Sequence, residues 1–232
     1  NLVGILHGNG SRFGKVHAEL PKKIVAACQK LGIQRLLHMS ALNAAHNADS
    51  LYLKSKAAGE DAVCESGLDW TILRPSVIFG DGKNILRTFA RLQAWLPVIF
   101  LAGAKARLQP VYVVDVARAF AISLEEDGTI GQRYALVGPQ VYTLKQLMEY
   151  VGEQTGYQRC VVGMSRCVGV MQASLLQLLP GEPLLSADNM RSLAHDSVCA
   201  DGFPKIFGSA SALSALGASL LANETPRGRY QG

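Results

Sequence analysis

The first eighty residues alternate between short apolar runs and longer amphipathic segments, and this alternation constrains the fold more than any other feature of the chain. Apolar runs at residues 2–6, 33–39 and 70–73 predict short buried strands. Apolar residues at helical spacing between them predict helices over residues 13–31 and 51–64. Strands separated by helices at this spacing are typical of parallel βαβ units. The sequence therefore predicts an α/β fold built on a doubly wound parallel sheet.

The rest of the chain mixes both element types less regularly. Beyond Gly156 the segments are short and are interrupted by proline and glycine, which predicts a smaller, mainly helical lobe. We expect residues 1–140 to form the main domain, with residues 80–112 contributing to a substrate lobe, and residues 141–232 to form the smaller C-terminal lobe for substrate or docking. The further elements that the pattern predicts are helices over residues 85–96 and 115–124, a helix capped by Thr143, and strands near residues 109–113 and 133–137.

Composition excludes several classes of protein. A hydrophobic fraction of 49% with 18% charged residues is that of a globular chain. The net charge of +5 suits an anionic ligand or an anionic membrane surface, but basic runs interleaved with aromatics are missing, so nucleic acid is not an expected partner. The five cysteines show no CxxC spacing, which indicates reduced thiols and a cytoplasmic location, including the inner face of a membrane as a peripheral protein.

Neither a membrane span nor a metal site is expected. The most apolar run, residues 161–179, is interrupted by Arg166 and two glutamines, so it does not have the character of a transmembrane helix. The histidines lack metal-ligand spacing, and His38, inside a predicted strand, is interpreted as a packed core histidine.

Tyr52 and Lys56 lie one helical turn apart and therefore share a face of the predicted helix. Ser40 follows the preceding strand, and ligands of open parallel sheets bind just outside such strand ends. An ammonium about 4 Å from a phenol, at an effective dielectric near 20, would lower the phenol pKa by about three units. Two interpretations stay open: Ser40, Tyr52 and Lys56 form an acid/base site, or the tyrosine packs and the lysine is solvated.

Several longer motifs resemble the short-chain dehydrogenase/reductase superfamily, and more closely its extended and atypical branches of the NAD-dependent epimerase/dehydratase type. The resemblance is strongest to the NDUFA-nine-like group of accessory subunits of respiratory complex I, and it covers about residues 1–208. The motifs that carry it are LLHMSALNA, YLKSKAAGE, LDWTILRPSVIFG, LQPVYVVDVA, YALVGPQVYTL and LLPGEPLLSADNMRSLAHDSVC.

The resemblance implies a Rossmann-like domain that binds NAD or NADP. It implies that Tyr52 is the acid/base, that Lys56 holds the nicotinamide-ribose hydroxyls, and that Ser40 orients a carbonyl or hydroxyl group. Arg74 is expected to anchor a strand end, and Asp115 to have a structural role at a helix N-terminus. The residues expected to bind the cofactor are Leu2, Val3, Gly4, Met39, Tyr52, Lys56, Pro75, Ser76 and Val77.

The glycine-rich phosphate loop of these relatives does not precede Tyr52 at the expected distance. Gly8, Gly10 and Gly14 have GxGxxxG spacing instead, and we interpret them as an ordinary surface loop. We therefore expect the chain to begin within the domain, without its first three strands, with residues 2–6 as an exposed edge strand through which it self-associates. Most cofactor affinity would be absent, and the chain by itself would be inactive.

Three functions remain open at this point. The first is an NAD(P)-dependent oxidoreductase or epimerase/dehydratase-type enzyme that acts on a small carbonyl or hydroxyl compound. The second is a non-catalytic accessory or assembly protein of complex I, in which the nucleotide is structural and the lobe docks on the complex or on a membrane surface. The third is a nucleotide-sensing regulator of transcription. Apolar residues of the lobe form either a lipid- or quinone-binding face or an ordinary helix core: Met164, Val168, Val170, Met171, Leu175 and Leu176.

Overall fold

The computed structural model describes residues 1–82, 84–164, 187–192 and 195–226. Within these residues the strands are β1 (Arg35–Met39), β2 (Asp69–Pro75), β3 (Ile78–Phe79), β4 (Val98–Ala102), β5 (Arg107–Leu108), β6 (Val111–Tyr112), β7 (Gln132–Leu136), β8 (Tyr142–Thr143) and β9 (Cys160–Met164). The α-helices are α1 (Gly10–Gly14), α2 (Leu20–Leu31), α3 (Leu51–Cys64), α4 (Ile85–Trp95), α5 (Val113–Glu125), α6 (Leu144–Thr155), α7 (Ala187–Ser192) and α8 (Leu213–Leu221). A π-helical turn, Lys15–Glu19, joins α1 to α2.

The main sheet is parallel and has the strand order β1-β2-β7. Met39 pairs with Leu73, and Pro75 pairs with Leu136, so the carboxyl ends of all three strands lie at one edge. This confirms the predicted α/β class and its parallel sheet. The remaining strands form two-stranded pairs: β3 with β6 and β4 with β9 in parallel, and β5 with β8 antiparallel.

Local signals set most helix ends as the sequence predicts. The side chain of Ser50 accepts a hydrogen bond from the amide of Leu53 and caps α3. Gly32 ends α2 with φ 69°, the left-handed conformation that glycine adopts without strain. Thr143 and Gln146 form a reciprocal capping box at the start of α6.

The predicted strand at residues 2–6 is wrong. Of the first six residues, only Asn1 pairs with β1. Its amino nitrogen donates to the Leu37 carbonyl (2.7 Å), and its carbonyl accepts from the Met39 amide (3.0 Å). The chain then turns away from the sheet, and Leu2 and Val3 are more than half exposed. The open edge of the main sheet is therefore β1 itself, because an apolar run forms a strand only where a neighbour pairs with it. Self-association through this edge stays a prediction.

One other expectation needs correction. Gly10 and Gly14 lie inside α1 rather than in a loop, because Asn9 caps a helix at Gly10 by accepting from the Arg12 amide. The mainly helical lobe beyond Gly156 also includes the strand β9, which pairs with the distant strand β4. Of the apolar residues proposed to bind a lipid or quinone, Met164 ends β9. The others, Val168, Val170, Met171, Leu175 and Leu176, lie outside the described residues.

Both faces of the main sheet are covered. Leu36 and Ile72 pack against α2 and α3 on one face, whereas Leu73 and Leu136 pack against α5 on the other. A separate apolar cluster joins α4, α6 and α8, with Phe89, Leu147 and Met148 fully or almost fully buried. Among the described helices, none combines the length and the apolar character that a bilayer crossing requires.

Candidate functional site

Ser40 lies at the carboxyl edge of the sheet, directly after β1. Its amide donates to the Leu73 carbonyl (2.8 Å), which holds it beside β2. Its side chain is only 4% exposed, and among the described residues its Oγ atom has no hydrogen-bond partner. A buried hydroxyl without a partner is costly, so this atom is available to a ligand.

Lys56 projects from α3 towards the same strand end. Its Nζ atom donates to the Met39 carbonyl (2.5 Å), one residue before Ser40, and the side chain is 3% exposed. Burial lowers the Lys56 pKa to about 8, against the opposing charge of Glu60. An ammonium has three donor hydrogens, and within the described part of the chain only one of them is used.

Tyr52 is half-buried one turn before Lys56, and its ring packs edge-on against His17 (ring centroids 5.4 Å apart) and Phe13 (6.1 Å). Burial raises the pKa of Tyr52 to about 12. The predicted lowering of this pKa by Lys56 is therefore wrong for this structure, because burial desolvates the phenolate. At neutral pH the phenol keeps its proton and is a donor.

His17 was not singled out by sequence reasoning, although its ring packs against the ring of Tyr52. It occupies the π-helical turn and is 1% exposed. Its Nε2 atom accepts from the Ile5 amide (3.0 Å), and its Nδ1 atom lies 2.8 Å from the Oγ atom of Ser55. Burial and the nearby charge of Lys56 lower the His17 pKa to about 4. The sequence feature that could have identified His17 is its spacing: it lies four residues after Phe13, on the otherwise apolar face of a predicted helix.

His38 is buried in β1, as the sequence predicts. Its Nδ1 atom lies 3.1 Å from the amide nitrogen of the Asn1 side chain, and within the described residues its Nε2 atom has no partner. Burial, with Lys56 as the next cause, lowers the His38 pKa to about 3. His17 and His38 are therefore neutral hydrogen-bonding groups at pH 7. The described residues contain no cluster of side chains suited to a metal ion.

The residues expected to bind a cofactor fall into two sets. Leu2, Val3 and Gly4 are exposed beyond the end of β1, and Met39 is half-buried. Pro75, Ser76 and Val77 follow β2, but the Oγ atom of Ser76 already contacts both the carbonyl and the hydroxyl oxygen of Ser197 (3.1 Å each). The carbonyl of Val77 accepts from the Val111 amide (2.9 Å). Contact of these residues with a dinucleotide stays a prediction.

Charged side chains hold α3 in place around the site. Glu60 is 3% exposed and forms ion pairs with Arg74 (2.5 Å) and Arg133 (3.3 Å), which links α3 to β2 and β7. Arg74 thus anchors the end of a strand.

At the other end of α3, the carboxylate of Asp188 accepts from the amides of Leu51 (2.8 Å) and Tyr52 (3.0 Å). A carboxylate at a helix N-terminus is stabilising, and here it fixes the backbone of Tyr52.

Asp115 has contacts that fit a structural role. It lies in the first turn of α5, is 1% exposed, and accepts from the amide of Ser211 (2.6 Å). It also forms an ion pair with Arg118 (2.9 Å). These contacts tie the chain before α8 to α5.

Comparison with known proteins supports this interpretation of the fold. Residues 3–91 match the family model described as "NAD(P)H-binding". The chain is 32% identical over 193 residues to NADH dehydrogenase (ubiquinone) 1 alpha subcomplex subunit 9, mitochondrial, of Rattus norvegicus, covering 83% of this chain and 51% of that protein. It is 29% identical over 186 residues to the NADH-ubiquinone oxidoreductase 40 kDa subunit, mitochondrial, of Neurospora crassa, covering 80% and 49%. The chain thus spans about half the length of these curated relatives.

Solved structures give the same fold at low sequence identity. A nucleoside-diphosphate-sugar epimerase from Staphylococcus aureus superposes with a TM-score of 0.70 at 14% identity, covering 94% of this chain and 75% of that one. The dTDP-glucose 4,6-dehydratase DesIV from Streptomyces venezuelae, solved with NAD bound, superposes with a TM-score of 0.60 at 17% identity, covering 71% and 60%. The match of residues 3–91 to the NAD(P)H-binding family model confirms the expected cofactor class, NAD or NADP. The parallel sheet, the serine at its carboxyl edge and these relatives agree: the chain is a homologue of the NDUFA-nine-like accessory subunits of complex I and has the Rossmann-like fold of the extended short-chain dehydrogenase/reductase proteins.

Proposed function

We propose that the chain binds the nicotinamide half of NAD or NADP at the carboxyl edge of β1 and β2, and that Ser40, Tyr52 and Lys56 act there on a carbonyl or hydroxyl group of a small substrate. The observation that carries this proposal is the pairing of two under-used buried groups. The Oγ atom of Ser40 has no partner among the described residues. The ammonium of Lys56, which donates to the carbonyl of the preceding residue, Met39, uses only one of its three hydrogens among the described residues.

These groups fit the cofactor and substrate that the family implies. A buried hydroxyl or ammonium hydrogen without a partner costs about 1–3 kcal/mol, which an oxygen-rich ligand would recover. The two remaining hydrogens of Lys56 suit the ribose hydroxyls, and the hydroxyl of Ser40 suits a substrate oxygen. The net charge of +5 favours an anionic dinucleotide over a neutral ligand.

The protonation states decide which residue donates a proton and which donates a hydrogen bond. The nicotinamide, when bound, supplies or accepts a hydride. Tyr52, protonated at neutral pH, donates its phenolic proton to the carbonyl oxygen during reduction, while the hydroxyl of Ser40 donates a hydrogen bond to the same oxygen. The ammonium of Lys56, one helical turn along α3, would stabilise the phenolate that remains by electrostatic attraction.

A titration with NADPH and NADH, followed by calorimetry, tests the binding step. The Lys56→Met variant is expected to raise the Kd at least about tenfold, because a hydrogen bond from a charged donor contributes about 1.5–3 kcal/mol. The matched control is Lys54→Met on the same helix, where the lysine is exposed, and it is expected to leave the Kd within about twofold. The titration extends to millimolar dinucleotide so that weak binding is detected. The proposal is contradicted if the unaltered chain binds neither dinucleotide in that range or if both variants bind equally well.

The second candidate function is that of a non-catalytic accessory protein of respiratory complex I, with a structural nucleotide. The observation that favours it is the 32% identity to the rat alpha subcomplex subunit 9 over 83% of this chain. Tyr52→Phe separates the two functions, because it removes the proton donor and keeps the ring. An enzyme loses carbonyl reduction and keeps its Kd for the dinucleotide, whereas an accessory protein shows no turnover before or after the change and still joins the complex.

A further inference from the structure

A directed row of hydrogen bonds connects the N-terminal segment, residues 1–5, to the helix that carries Tyr52. The amide of Ile5 lies 3.0 Å from His17 Nε2, and His17 Nδ1 lies 2.8 Å from Ser55 Oγ. Ser55 Oγ in turn lies 2.7 Å from the carbonyl oxygen of Tyr52. The row therefore ends on the backbone of the proposed acid/base residue.

The donors and acceptors of this row have one consistent assignment. The Ile5 amide is always a donor, so Nε2 of His17 is the acceptor and carries no proton. In a neutral imidazole the proton is then on Nδ1, which donates to Ser55 Oγ. The Tyr52 carbonyl is always an acceptor, so the hydroxyl of Ser55 donates to it. Every polar atom of the row is thus satisfied with a neutral His17.

The backbone brings His17 to this position by a local change of helix type. The π-helical turn Lys15–Glu19 interrupts an otherwise α-helical run, and π-turns of this kind occur frequently at functional sites. The turn presses the His17 carbonyl against α3 at Gly59, where an added Cβ atom would lie 2.0 Å from the carbonyl oxygen. The same turn places the His17 ring edge-on to Tyr52, with ring centroids 5.4 Å apart.

We propose that His17 is a positioning residue, which couples the N-terminal segment to Tyr52 so that both sides of the dinucleotide site keep one relative geometry. This inference rests on the proposed function. His17 holds Ile5 through one ring nitrogen and Tyr52 through the other by way of Ser55. The N-terminal segment has few other anchors of this kind: the backbone of Asn1 pairs with β1, and its side chain contacts His38.

Two substitutions divide the functions of the two ring nitrogens. His17→Gln places an amide oxygen near the position of Nε2 and keeps an acceptor for Ile5. His17→Asn places an amide nitrogen near Nδ1, keeps a donor for Ser55, and loses the acceptor for Ile5. Both are uncharged amides, so each is the matched control for the other. The measurements on the full chain are amide hydrogen exchange at Ile5 by NMR, without ligand, and the Kd for NADPH.

His17→Asn is expected to speed exchange at Ile5 at least about fivefold, whereas His17→Gln, which keeps the acceptor, stays within about twofold of the parent. Each variant breaks the row at one ring nitrogen, so both are expected to raise the NADPH Kd about fivefold. The inference is overturned if Ile5 exchange is unchanged in His17→Asn, or if neither variant changes the Kd. Should neither variant fold, Ser55→Ala breaks the row at its middle with little loss of volume, and an unchanged Kd in that variant overturns the inference too. Failure of the parent to bind NADPH refutes the proposed function, and Ile5 exchange then still decides whether His17 holds the segment.

Discussion

Gly59→Ala is expected to lower the free energy of unfolding by about 3 kcal/mol. The new Cβ atom would lie 2.0 Å from the carbonyl oxygen of His17 and 3.2 Å from its carbonyl carbon. Both are backbone atoms of the π-helical turn, so no side chain can rotate away to make room. Helix α3 and the turn must separate, which also loosens the contact between His17 and Tyr52. Equilibrium unfolding in urea measures the change.

Gly14→Ala is the control for this substitution. Gly14 lies in the same helical run with φ −58°, and a Cβ atom there would meet nothing within 4 Å. Alanine in a helix interior is favoured over glycine by about 0.5–1 kcal/mol, so this variant is expected to be slightly more stable than the parent. If Gly59→Ala is as stable as the parent, α3 and the π-helical turn do not pack as closely as described.

The Lys56→Met variant is expected to be more stable than the parent at pH 7 and to lose about 2–3 kcal/mol of that advantage as the pH rises from about 8 to about 10.5. Burial lowers the Lys56 pKa from 10.5 to about 8 in the folded chain. Between these values the unfolded chain binds more protons than the folded chain, so the stability of the parent rises with pH across this window. Below about pH 8 the cost of burying the ammonium is present in full. Each pKa unit corresponds to 1.36 kcal/mol.

The measurement is the difference in unfolding free energy between parent and variant at several pH values from 6 to 10.5, because other groups titrate in the same range and cancel in the difference. Lys54→Met, on the exposed face of α3, supplies the control and is expected to show a difference that does not vary with pH in this way. A constant difference between parent and Lys56→Met would mean that the ammonium is solvated in the folded chain.

The buried polar groups of the candidate site lower the stability of the folded chain. Lys56, Ser40 and His38 are all buried with polar hydrogens or acceptors that the described residues leave unused. Natural proteins tolerate such groups mainly where a ligand satisfies them. The NADPH titration and the unfolding experiment on Lys56→Met thus measure two consequences of the same buried ammonium.

Several elements were predictable from the sequence because their causes are local. Ser50 marks the start of α3, Gly32 marks the end of α2, and Thr143 with Gln146 marks the start of α6. Apolar periodicity predicted the alternation of strand and helix, and hence the parallel sheet. The one-turn spacing of Tyr52 and Lys56 and the position of Ser40 after a strand follow from the same patterns, and the joint role of these residues in a site stays a prediction.

Only the tertiary structure decided the features that depend on distant partners. The pKa of Tyr52 is raised because Phe13 and His17 pack against its ring and burial excludes water, whereas spacing along α3 predicted that it would be lowered. Residues 2–6 do not form a strand, because strand formation needs a paired neighbour and β1 pairs only with Asn1 on that side. His17 packs against Tyr52 because the π-helical turn Lys15–Glu19 fits against Gly59 of α3. Pairing and burial between distant segments are properties of the folded chain, and no local pattern of residues encodes them.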